Sequence, residues 1–173
     1  MVLDGDDWDE VSDELERAWR FGKTYGTDAM ASFELSDMED LLTRAELVRL
    51  FVAWVDKFLH VEIDDDLYCR GMADTRDLDE DTQRDIMRAC QMGLMGVGME
   101  RFDPHGLVTR AQSATVLSRA LWRQTHDGGS PWYAAHIDAL VDAGLMMHGD
   151  PERLETRGYF MTMLMRVATQ DTW

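Results

Sequence analysis

A chain of 173 residues with 45% hydrophobic content can bury one good-sized core and is too apolar for disorder. Its 34 acidic residues against 17 basic ones leave a formal charge of −17, which excludes general nucleic-acid binding and docking on anionic lipid, because both require neutralising phosphates. Apolar runs are short and broken by charge, so no membrane insertion is expected.

In chain order, residues 1–11 are acidic and expected to form a frayed tail. The opening Met1-Val2-Leu3-Asp4-Gly5-Asp6-Asp7 has no basic n-region and no apolar h-region, so it reads as a cytosolic start or as the first residues of a mature piece. Leu15, Trp19 and Tyr25 predict a helix over residues 12–25, stopped by Gly26. A short helix is expected around residues 37–41. Thr43 then opens the clearest helix: Thr43 with Glu46 forms a capping box, and Leu42 with Leu47 fits a hydrophobic staple. Leu47, Leu50, Phe51, Trp54, Val55 and Phe58 mark its buried face.

Residues 61–78 read as a loop. Asp79 or Asp81 caps a helix running through Ile86, Ala89 and Cys90 to Gly93, and a loop through Phe102-Asp103-Pro104 leads to Val108. Thr109 with Gln112 repeats the capping box, and Val116, Leu117, Ala120 and Leu121 continue its stripe. Residues 124–130 are rich in Gly and polar types and read as a linker. Ser130 is the expected cap of the next helix, with Pro131 at its first position, running through Ile137, Leu140 and Val141 to Gly144. Thr156 starts the last helix, which carries Phe160, Met163, Leu164 and Val167.

These elements repeat. Thr43-Arg44, Thr109-Arg110 and Thr156-Arg157 each start a helix, and the apolar pairs Leu50/Phe51, Val116/Leu117 and Met163/Leu164 follow at the same offset. Gly26, Gly93 and Gly144 form a second set, each preceded at seven residues by Trp19, Ile86 or Ile137. The expected fold is all-α, three helix-loop-helix units in one compact domain over residues 12–168: residues 12–60, 61–123 and 131–173. Helix capping explains the Thr with its Glu or Gln. It does not explain the Arg, which sits unfavourably near the positive end of a helix dipole and therefore hints at a task.

Other chemistry is poorly represented. Asp77-x-Asp79-x-Asp81 resembles the start of a calcium loop, but Thr82 stands where Gly is required and Arg88 where the last Glu is. The five histidines show no metal-ligand spacing, and there is no Gly-x-Ser-x-Gly or Walker loop. No catalytic residue, metal or cofactor is expected, and the Met-rich end reads as core filler. Cys69 and Cys90 read equally as two buried thiols or as a disulfide, which would close a loop of about 20 residues worth ~3 kcal/mol in the chain-entropy model.

Gly93-Leu94-Met95, Phe102-Asp103-Pro104 and Val108-Thr109-Arg110-Ala111-Gln112, with Met72-Ala73-Asp74 ahead of them, resemble the unit of S-layer homology (SLH) domains, usually three in tandem. Thr43-Arg44-Ala45-Glu46 matches the second-helix start fully, though Glu14 stands where the first helix would carry its early Trp. The third unit keeps Trp132 and Thr156-Arg157, lacks the Phe-x-Pro, and has Gly158-Tyr159 in place of Ala-Glu. The likeness spans residues 12–168 and is nearest to a divergent branch from candidate-phylum bacteria.

The resemblance implies a pseudo-threefold bundle with grooves between units that hold cell-wall polysaccharide, often pyruvylated. It implies ligand contacts for Arg44, Arg110 and Arg157, a sugar-stacking face for Trp132, and a Cys69–Cys90 disulfide. The function it implies is non-enzymatic anchoring of a larger surface protein outside the cell. The alternative is a surface self-assembly or docking module without sugar recognition, and a remoter one is a cytosolic helical adaptor.

Overall fold

The structure is a computed structural model describing residues 5–25 and 28–170. Its helices are α1 (Gly5–Tyr25), α2 (Asp28–Ala31), α3 (Arg44–Phe58), α4 (Glu80–Gln91), α5 (Arg110–Trp122), α6 (Ala134–Asp142) and α7 (Arg157–Thr169). There is no strand among the described residues, so the fold is all-α.

The repeated threonines cap their helices as expected. Thr43 Oγ1 accepts from the Glu46 N–H and the Glu46 carboxylate accepts from the Thr43 N–H; Thr109 and Gln112 do the same. Thr156 accepts from the Tyr159 N–H, without a reciprocal bond. Each cap stabilises its helix by about 1 kcal/mol. At the other end of α4 and α6, Gly93 (φ 72°) and Gly144 (φ 71°) adopt the left-handed conformation. Gly93 N–H bonds Cys90 O and Leu94 N–H bonds Ala89 O; Gly144 and Leu145 bond Val141 O and Leu140 O in the same way. These are two copies of one Schellman stop.

The residues just before the three caps meet each other. Leu42 N–H donates to Glu155 O at 2.9 Å, Glu155 N–H to Val108 O at 2.8 Å, and Val108 N–H to Leu42 O at 2.9 Å, closing a ring. Beside it, the free N–H groups opening each helix find carbonyls of the next loop: Arg44 to Gly106, Ala45 to Pro104, Arg110 to Arg153, Ala111 to Pro151, and Arg157 to Asp40. Gly158 occupies the place of Ala45 and Ala111 because space is shorter there. A Cβ at Gly158 would lie 2.7 Å from Met38 O and 2.4 Å from Leu15 Cδ1.

The two helices expected within one unit, α4 with α5 and α6 with α7, are not the main packing pairs. α4 packs on α3, α6 on α5, and α1 closes against α7. The described helices α1 and α3–α7 all contribute to one hydrophobic core. Phe51, Phe102 and Phe160 are fully buried in it, with the Phe51 and Phe160 rings 5.8 Å apart. A disulfide joins Cys69 to Cys90, tying the loop before α4 to that helix's last turn. No helix among the described residues is long and apolar enough to cross a membrane.

Three expectations need correction. Helix α1 begins at Gly5, within the stretch 1–11 taken as a frayed tail; an acidic sequence suits a helix N-terminus. The short helix near residues 37–41 is a 3₁₀ turn over Leu35–Glu39. Ser130 does not cap α6, which starts only at Ala134 after a turn closed by Ala134 N–H to Pro131 O. Within the stretch 124–130, Gln124–His126 belong to the 3₁₀ turn Arg123–His126, and Asp127 is bonded to Arg119 and His136. The Gly26 stop lies outside the described residues.

Candidate ligand groove

The three motif arginines share one geometry. Arg44 Nε donates to Phe102 O at 2.7 Å and its guanidinium lies 4.8 Å from the Phe102 ring centroid. Arg110 Nη2 donates to Met147 O and to the Tyr159 hydroxyl, and lies 4.8 Å over the Tyr159 ring. Arg157 Nη1 donates to Asp37 O at 3.3 Å and lies 4.5 Å over Phe33. Each arginine therefore reaches into the following unit, with the third returning to the first, and joins units through a carbonyl and a cation–π contact. That is the task the helix cap left unexplained.

Their surroundings differ at one place. Three residues after each repeated Thr stand Glu46, Gln112 and Tyr159, and Glu46 and Tyr159 meet the arginine of the preceding unit. Arg157 meets Glu46 at 2.5 Å and Asp40 at 3.1 Å. Burial opposes its charge, but Glu46, Asp40 and Asp37 outweigh that and hold it above the ordinary arginine value. Arg110 meets Tyr159 and is only 4% exposed. Gly149 also lies beside it: a Cβ there would lie 3.5 Å from the guanidinium carbon. A ligand could not reach Arg110 without displacing Tyr159.

Arg44 instead lines a groove together with neutral Gln112. Burial lowers its pKa, partly offset by Asp103 and Asp74, yet among the described residues no carboxylate forms an ion pair with it. Asp74 is occupied otherwise. Burial raises its pKa, but the Phe102 and Asp103 N–H groups donate to it at 2.8 Å each and hold it below the ordinary value. A groove of about 150 Å³ opens beside Arg44, walled by Leu47, Met95, Met99, Gln112, Thr115, Arg119 and Trp132. Trp132 is 50% exposed and meets Tyr133 edge-on.

Arg44 and Trp132, distant in sequence, thus share one groove, whereas Arg110 and Arg157 lie at two other joints. At the joint of Arg157 the equivalent groove, about 220 Å³, carries Phe33, Glu46, Arg49 and Thr82. At the joint of Arg110, Glu14 stands at the position equivalent to Trp132 and binds Arg166 through two bonds of 2.9 Å. Arg119 and Thr115 were not evident as groove residues from composition or motif. One signal existed: Arg119 and Arg166 both lie ten residues after a repeated Thr, and both donate to the carbonyl after a Schellman glycine, Leu94 or Leu145, at 3.3 Å. Among the described residues no cluster of His, Cys, Asp and Glu could hold a metal ion. No protein-family model matches the chain, and no curated protein matches it in sequence.

Proposed function

We propose that the chain is a module of the SLH kind, three units about a pseudo-threefold axis, that binds cell-wall polysaccharide in the Arg44–Trp132 groove. In this reading it is non-enzymatic and anchors the remainder of a larger protein at the cell surface. The closed ring at Leu42, Val108 and Glu155 supports the threefold arrangement. The Cys69–Cys90 disulfide suits an oxidising, extracellular setting.

One observation carries the binding role. Of three equivalent joints, this one combines an arginine without a carboxylate partner among the described residues, a neutral polar floor and a half-exposed indole. A guanidinium fork suits the carboxylate of a pyruvylated sugar, and the indole face suits the apolar side of the ring. The groove shelters that encounter from the overall charge of −17, which salt also screens. Arg110 and Arg157 hold units together and need not touch ligand.

The test is binding of purified cell-wall polysaccharide, native and after mild acid has removed its pyruvate ketals. Native polymer should bind and stripped polymer should bind weakly. Unchanged binding of native polymer by a folded Arg44→Ala/Trp132→Ala double variant would overturn the assignment.

A second reading, a self-assembly or docking module, is favoured by Leu41, Leu107 and Leu154. They stand two residues before the three repeated threonines and are 41%, 42% and 39% exposed. It expects sedimentation that depends on concentration, abolished by Leu107→Glu/Leu154→Glu, and indifference to cell-wall polymer.

A further inference from the structure

Behind Trp132, a buried histidine sits against the groove wall. His136 on α6 is 1% exposed. Its Nε2 lies 3.1 Å from Asp127 Oδ1 and its Nδ1 2.9 Å from Ser118 Oγ. Asp127 Oδ1 also accepts from Arg119 Nε at 2.9 Å. One carboxylate oxygen is therefore shared between a buried imidazole and a guanidinium that lines the groove. The remaining polar neighbour is His126, its ring 6.4 Å away on the 3₁₀ turn and held edge-on against Trp122.

We infer that Arg119 is a further ligand-binding residue, and that Asp127 and His136 position it and make anion binding in the groove proton-linked. The inference rests on the groove reading above. With His136 neutral, Nε2–H donates to Asp127 and Nδ1 accepts from the Ser118 hydroxyl, so the Asp127 charge is spent mainly on Arg119. A proton on His136 gives Asp127 a second cation to neutralise, and part of the Arg119 charge is released towards the groove.

A bound carboxylate and the His136 proton therefore favour each other, as linkage requires. Burial, with Arg119 and His126 adding to it, holds His136 below its ordinary 6.5 against the pull of Asp127, so the neutral form prevails at neutral pH. Affinity for an anion should rise as pH falls through that lowered value.

The experiment is calorimetric binding of pyruvylated cell-wall polysaccharide at pH 7.5 and pH 5.0, whose carboxylates stay ionised across that range. Wild type should bind more tightly at pH 5.0, up to about tenfold for each unit by which ligand raises the His136 pKa. NMR titration of the His136 ring should show that rise directly. His136→Gln keeps a donor towards Asp127 without a titrating group and should bind with no pH dependence. Asp127→Asn, a milder change at a half-buried site, should bind at pH 7.5 as tightly as wild type does at pH 5.0. Arg119→Gln should weaken binding at both pH values. Binding by wild type with no pH dependence, or with one that His136→Gln retains, overturns the inference and leaves the groove reading standing. No binding at either pH overturns both.

Discussion

Arg44 and Arg110 occupy the same motif position, donate to a carbonyl of the next unit and lie at the same 4.8 Å over an aromatic ring. One nevertheless borders an open groove and the other is sealed. The difference lies in the residue three after the next repeated Thr, Gln112 in the wall of the Arg44 groove and Tyr159 against Arg110. The arginine is thus the common fastener between units, and the residue at that position decides whether its outer edge stays available. At the third joint the fastener is neutralised by Glu46.

The strongest way to break this comparison is to remove each arginine in turn. Arg110→Ala strips a buried joint of its Tyr159 stack and its bonds, and should cost about 3 kcal/mol. In a domain of this size that lowers Tm by about 6–12 °C in thermal unfolding. Arg44→Ala should move Tm far less, yet weaken binding of pyruvylated polymer by about 10- to 100-fold in calorimetry, the worth of a charge-assisted bond. Equal Tm losses for the two variants would erase the distinction.

A transplant sharpens it further. Gln112→Tyr places the residue of the sealed joint into the open one and should reduce polymer binding by about tenfold. The lost reciprocal bond to the Thr109 N–H should cost no more than about 1 kcal/mol.

The smallest expected effect is pH-dependent and belongs to the sealed joint. Glu155, 4% exposed, stands in the ring where the other units have Leu42 and Val108. Burial pushes its carboxyl above the ordinary 4.5, against the Ser113 hydroxyl bond and the Arg110 charge. The folded state therefore binds the proton more tightly than the unfolded chain, so the stabilisation is full below 4.5 and is lost as pH rises through the raised value. Glu155→Gln should exceed wild type in Tm by about 2–4 °C at pH 7.5, with the two converging at pH 4. A constant difference across that range would assign the effect to something other than titration.

Much of this was legible in the chain itself because its signals are local. A cap needs a threonine and its third neighbour, and a Schellman stop needs a glycine. A buried helix face needs only its apolar spacing. Thr43, Thr109, Gly93 and Gly144 behave as their neighbours in sequence dictate. The Ser130-Pro131 start failed because the turn holding Pro131 is closed by a backbone bond and leaves the α6 end without a side-chain cap.

The sequence by itself determined that this is an all-helical chain with three equivalent helix starts and an arginine at each. Only the tertiary structure decided what those arginines do. Their partners Phe102, Tyr159 and Phe33 lie in other units, and spacing along one chain carries no record of which unit stands opposite. The same holds for the cross-unit helix pairing and for the meeting of Arg44 with Trp132. Each depends on how the packed units close the ring of Leu42, Val108 and Glu155, a property of the assembled core and not of any one segment.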